Sequence, residues 1–165
     1  MQRLTGDCNR LYRELPALHA RDATADGFEW IQYDDERNAV CAWVRYDAQR
    51  ASHAIVVCNY SGVRLDGYRI GVPHAGTYRE LINTDAGIYG GGNEGNLGAV
   101  HTAPVAVHGR EQSLALVLPP RSAIIIESNR FARFVRDSLL AEDPVAEARI
   151  ARVVEDRRIR DFAEA

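Results

Sequence analysis

Apolar residues recur in three different rhythms along the chain. Over residues 1–20, Leu4, Cys8, Leu11, Tyr12 and Leu15 fall at i, i+4, i+7, i+8 and i+11, which makes one stripe on an amphipathic helix. Pro16 and the polar RDATADG segment end it. Such a helix must bury its stripe on something, and that partner need not lie within this chain. From Gly27 the pattern changes to strands, predicted at 28–33, 39–46, 53–60, 67–72, 77–84, 100–107, 113–118 and 122–127. They are short, rich in Val, Ile, Tyr and Trp, and divided by the turn clusters DDERN, DAQRAS, SGVRLDG and PHAG. In AVCAWVRY, Val40, Ala42 and Val44 alternate with Cys41, Trp43 and Arg45, and Trp43 is expected in the core. AIVVCNY and AIIIE are continuous apolar runs, the mark of central strands covered on both faces. No helical pattern sits between strands, which excludes βαβ units. The predicted fold is mostly β, an antiparallel β-sandwich with an N-terminal helix and a helical C-terminal tail. In the tail, after Asn129, Asp143 and Pro144 suit the N-cap and first position of a second helix. A solvated tail docking weakly is expected there, with partner binding as the lesser alternative.

The longest break in these rhythms is NTDAGIYGGGNEGNLG, residues 83–98. Its glycines, asparagines and Asp85 favour turns and left-handed backbone, and a loop of this size in a compact domain is usually functional or disordered. It contains a literal GxGxxG at Gly90, Gly92 and Gly95. The dinucleotide fingerprint needs a strand before it and a helix after it, whereas NLGAVHTAPVAVH reads as another strand. The glycines are expected to let the backbone lie against another surface, with Tyr89, Asn93 and Asn96 as side-chain contacts.

Composition narrows the function classes. The 165 residues are 46% hydrophobic and 26% charged, with net charge −3. That suffices for one core. All basic residues are arginines, scattered and balanced by acids, and the pI near 5.9 argues against nucleic acid as a partner. The 3 cysteines, Cys8, Cys41 and Cys58, have no CxxC spacing and are expected as buried thiols in a reducing cytoplasm. No apolar run approaches the roughly 20 residues that cross a membrane, and no signal peptide is apparent.

Candidate chemistry is sparse. Asp34 and Asp35 are adjacent in a polar turn, expected to be a charged hairpin loop. Asp85 and Glu94 share the glycine-rich loop but nothing in their spacing makes them converge as glycoside-cleaving carboxyls do, and Asp85 is expected to bond its own loop. His19, His53, His74, His101 and His108 show no metal-ligand spacing and read as surface or strand-end residues, so no metal site is expected. No serine lies in a GxSxG setting. Trp30 either stacks on a sugar ring or packs on the first helix.

The residues also carry a resemblance. DCNRLYRELPALHARDATADGFEWIQYDDERNAVCAWVRY, then IVVCNYSGVRLDGYRIGVPHAGTYRELINTDAGIYGGGNEGNLGAV, then HGREQSLALVLPP, closely resemble the C-terminal end of bacterial 1,4-α-glucan (glycogen) branching enzymes of the alpha-amylase superfamily. The likeness covers residues 3–120 and continues weakly to 127. LYRELPALH, FEWI, YRIGVP, the LINTD–YGG–GN–G series and HG with LPP carry it together, in order. YGGGN replaces a more usual serine after two glycines, NYSG replaces NFTP, and the tail lies outside the family pattern.

The resemblance implies a layout. Residues 1–22 would be the last helix of a (β/α)8 barrel, 23–127 the closing all-β domain, and 128–165 an extension. The helix's partner would be the barrel, and the loop would face the barrel or its glucan. The family's catalytic carboxylates lie in the barrel, which needs roughly 250 residues of its own, so no catalytic residue is carried over and no cofactor is implied. Glycogen biosynthesis, by transfer of an α-1,4-glucan segment to a 6-hydroxyl, would be the parent activity. The chain alone is expected to be inactive and to act as a structural and interaction domain. A stand-alone α-glucan-binding module resting on Tyr89, Trp30 and the loop asparagines is the alternative. A transferase built from Asp85 and Glu94 is the weakest reading.

Overall fold

The computed structural model describes residues 2–50 and 52–128. The expected tail helices lie outside these. Helix α1 covers Gln2–Glu14 and a 3-10 turn follows at Pro16–Leu18. Eight strands come next: β1 Phe28–Asp35, β2 Val40–Tyr46, β3 His53–Asn59, β4 Leu65–Val72, β5 Thr77–Asn83, β6 Ala99–His101, β7 Gln112–Leu118 and β8 Ser122–Ser128. All pairings are antiparallel, in one sheet of order β1-β2-β3-β8-β5-β6 and a second of β4 and β7.

Alternation fixes which residues face inward. On β2, Val40, Ala42, Val44 and Tyr46 are buried while Cys41, Trp43 and Arg45 point to the opposite face. On β3, Ile55 and Val57 join them, and on β8 Ile124 and Ile126. The second sheet contributes Ile70, Val72, Leu114, Leu116 and Leu118 to the same core. Each fully buried Leu or Ile of this set stabilises by about 1.5–3 kcal/mol relative to exposure. The continuous apolar runs do lie centrally: β3 and β8 pair with each other in the middle of the large sheet. Their outward residues Ala54 and Ile125 contact Leu15, Ala17, Leu11 and Leu18, with Leu81 of β5 alongside.

Several expectations need correction. Trp43 is on the outer face, half-buried, because the core face of β2 is the one carrying Val40, Ala42 and Val44. His53 is a strand-end residue, the first of β3, but not a surface one: it is 0% exposed, between the Tyr46, His74 and Tyr78 rings. Trp30 packs on Phe28, Trp43 and Tyr33 rather than on the first helix. Of the three cysteines only Cys58 is buried. The helix stops at Glu14, short of residue 20, because Pro16 cannot continue it. The strand expected over 100–107 pairs with β5 only at Ala99–His101. Beyond it the chain makes single bridges, Ala103 with Ser113 and Val107 with Arg110, since Pro104 between them has no N–H for a ladder.

Candidate functional site

The loop between β5 and β6 is built around two side chains from its own first residues. Asn83, buried at the end of β5, accepts the Asp85 N–H at 2.9 Å through Oδ1 and donates through Nδ2 to the Glu94 carbonyl at 2.6 Å. Asp85 then accepts three backbone N–H groups from across the loop. Its Oδ1 takes Gly92 at 2.9 Å, its Oδ2 takes Glu94 at 3.0 Å and its carbonyl takes Asn93 at 2.7 Å. This close approach requires glycine at 91, where a Cβ would sit 2.2 Å from the Asp85 carbonyl oxygen. Asn93 is left-handed at φ 62° and its Oδ1 accepts the Gly87 N–H at 3.0 Å, closing the 3-10 turn Gly87–Tyr89.

Asn96 fastens the far end. It is buried, and its amide serves the Val117 backbone of β7 as a neighbouring strand would, accepting the N–H at 2.8 Å and donating to the carbonyl at 3.1 Å. It also donates to Glu80 Oε2 at 2.7 Å, beside the register shift between Glu80 and Ile82 on β5. Tyr89 reaches out of the loop and donates to Asp7 Oδ2 of α1 at 2.9 Å. Burial, and then the Asp7 carboxylate, push the Tyr89 hydroxyl pKa above its ordinary value. Ile88 and Leu97 are exposed, Leu97 fully so at 104% with φ 54°. Asp85 is occupied by amides, whereas Glu94 pairs through Oε1 with Arg64 at 3.4 Å and leaves its buried Oε2 without a hydrogen-bond partner.

Trp30 is elsewhere, on the outer face of the edge strand β1. It meets Phe28 edge-on at 5.0 Å between ring centroids, Trp43 at 5.9 Å and Tyr33 at 6.2 Å. Trp30 and Tyr33 are exposed, 49% and 71%. The structure thus brings Asp85, Asn93, Tyr89 and Asn96 into one loop and leaves Trp30 in a separate aromatic group. Sequence reasoning missed Asn83, Glu80 and Asp7. For Asn83 a signal was present, since an Asn two residues before an Asp at a strand end suits an Asx turn.

Comparison with known proteins decides the family. Residues 30–129 match the model of the alpha amylase C-terminal all-beta domain. The chain belongs to that family. The 1,4-alpha-glucan branching enzyme GlgB of Pseudomonas putida is 50% identical over 127 residues, 77% of this chain and 17% of that protein. Its counterpart in Burkholderia thailandensis is 50% identical over 125 residues, 76% of this chain and 15% of that protein. That of Dechloromonas aromatica is 46% identical over 125 residues, 76% of this chain and 20% of that protein. The chain therefore spans about a sixth of the length of these curated relatives.

Within this alpha-amylase C-terminal domain, Asn83, Asp85 and Asn93 bond within the loop, and Asn96 ties it to Glu80 of β5 and Val117 of β7. What it offers outward is shape and the apolar side chains Ile88 and Leu97. Among the described residues no group of three or more His, Cys, Asp or Glu side chains could hold a metal ion. No helix among them is long and apolar enough to cross a membrane.

Proposed function

We propose that this chain is the C-terminal β-domain of a 1,4-α-glucan branching enzyme and that it serves as a structural and interaction domain for a catalytic (β/α)8 barrel in the cytoplasm. Residues 1–22 supply the barrel's closing helix, 23–127 the β-domain, and 128–165 an extension outside the family pattern. One observation carries the reading: α1 has an apolar stripe and no buried residue. Leu4, Cys8 and Leu11 are only half-covered and Tyr12 is exposed, so the helix meets this domain mainly through the turn that follows it. A second apolar body on that stripe completes its burial. The Tyr89–Asp7 bond aligns the loop with the same helix, so Tyr89, Asp85, Asn93 and Asn96 hold the contact surface that Ile88 and Leu97 present.

The test is reconstitution. The barrel-bearing remainder of the Pseudomonas putida relative, truncated where the similarity begins, is mixed with this chain. Association and iodine-stain branching activity are expected from the mixture and neither from this chain alone. Leu4→Glu should leave the chain's denaturation midpoint within about 0.5 kcal/mol, because the site is not buried here, and should abolish association. Failure of the unmodified chain to associate would refute the reading.

A second reading, a stand-alone α-glucan-binding module, is favoured by the exposed rings around Trp30, since aromatic faces stack on sugar rings. Migration through a glycogen-containing gel tests it. Retardation that Trp30→Ala removes supports it, and Tyr89→Ala reports whether the loop shares the surface. Unretarded migration of the unmodified chain rejects it.

A further inference from the structure

We propose that Cys41 and Cys58 form a thiol-modification site that a small-molecule disulfide such as oxidised glutathione converts to a cross-strand disulfide, independently of any barrel or glucan. The two residues are directly opposite in the β2–β3 register. The Tyr60 N–H donates to the Ala39 carbonyl at 2.9 Å, which makes 39 and 60 a hydrogen-bonded pair. The two-residue alternation of an antiparallel ladder then makes 41 and 58 one as well, with Cα atoms about 5.5 Å apart, inside the range a disulfide spans. Both thiols project from the outer face, because their neighbours Val40, Ala42, Val57 and Asn59 face the core. Cβ atoms of a hydrogen-bonded pair stand at the far end of the range of about 4.5–5.5 Å, whereas a relaxed disulfide wants about 3.8 Å. The bridge therefore forms only as the two strands are drawn in by more than about 1 Å, and it is of the strained, readily reduced kind.

Access and chemistry differ between the two sulfurs. Cys41 lines a shallow groove of about 340 Å³ with Tyr33, Ala39 and Tyr60, and Cys58 lines one of about 280 Å³ on the other side of Tyr60. The Cys41 thiol is half-buried and donates to the Tyr60 hydroxyl at 3.6 Å. Burial, and then the adjacent Cys41, push the Cys58 thiol up to about 11. Cys41 is thus the attacking thiol and Cys58 the resolving one. The Cys41 thiolate attacks one sulfur of the small disulfide, whose S–S bond breaks and whose other half leaves and takes up a proton. Cys58 then loses its proton and attacks the Cys41 sulfur, expelling the second small thiol. Two protein thiols are oxidised to one disulfide and one small disulfide is reduced to two thiols.

The experiment uses the full chain with Cys8→Ser, which leaves Cys41 and Cys58 as its thiols, exposed to oxidised glutathione. Expected are the loss of both titratable thiols, a mass lower by two hydrogens, a linked peptide pair containing Cys41 and Cys58, and recovery with dithiothreitol. Cys58→Ser should trap glutathione on Cys41 as a stable adduct. Cys41→Ser should slow modification of the remaining thiol by more than about tenfold. Retention of both thiols, a lasting glutathione adduct without bridging, or bridging between two chains would each overturn the proposal.

Discussion

Asp85 shows how much one side chain organises here. Both of its carboxylate oxygens accept loop amides, so Asp85→Ala gives the exposed Gly92 N–H over to water and leaves the half-buried Glu94 N–H without its acceptor. A loss of about 1–3 kcal/mol in urea denaturation is expected, with Asp85→Asn costing less because an amide oxygen still accepts one of them. His108 gives a prediction in pH. Burial, and then Arg110, hold its imidazole below the ordinary histidine range, and its Nδ1 accepts the Gly71 N–H at 3.3 Å. Asp34 and Asp35 act weakly in the opposite sense. A folded pKa below the unfolded one means the unfolded chain binds the proton more readily. The contribution of His108 is therefore complete above about pH 6.5 and is lost as pH falls below that value. The stability difference between wild type and His108→Asn should shrink from pH 7.5 to pH 5; a difference that stays constant would show that His108 protonation is not coupled to folding. Roles of this kind were only partly legible. The Asp85 loop bonds follow from its neighbours in sequence, whereas the burial of His53 depends on rings from β2, β5 and the turn before β5, far apart in the chain.

At the scale of elements, the contact between the N-terminal segment and the sheet rests on two small residues. Ala17 after α1 and Ala54 on β3 are both 0% exposed and let the backbones come close. Ala17→Leu is expected to overpack this contact and destabilise by about 1–3 kcal/mol, read from the denaturation midpoint. Tyr89→Phe removes the hydroxyl that donates to Asp7, at a cost of about 1.5–3 kcal/mol for a hydrogen bond to a charged acceptor where the group is half-buried. If thermal unfolding of Tyr89→Phe matches wild type, the loop and helix are not coupled by this bond. Strand positions were readable because a period of two survives in each of them. β6 was overextended because Val100, Val105 and Val107 keep strand composition while Pro104 breaks the ladder.

For the whole molecule, the decisive feature is an apolar surface left open on α1 beside a loop with exposed Ile88 and Leu97. Adding a barrel should raise the chain's melting temperature with the logarithm of barrel concentration, as binding to the folded state alone requires. Leu97→Asp should weaken that rise without lowering the melting temperature of the chain by itself, since Leu97 touches solvent on all sides. An unchanged rise would remove Leu97 from the contact.

Hydrophobic rhythm by itself determined where the helix and the strands lie along the chain and the choice of an antiparallel sandwich, because side-chain period is a local property of backbone geometry; the sheet order β1-β2-β3-β8-β5-β6 came only with the tertiary structure. Alternation tells that two sets of residues face opposite ways, but it cannot name the set that is inside. That choice, which put Trp43 outside and His53 inside, belonged to the tertiary structure, where β4 and β7 cover one face of the large sheet. The pairing of Cys41 with Cys58 and the grip of Asn96 on Val117 were decided there too, since each joins residues that only strand register and loop closure bring together.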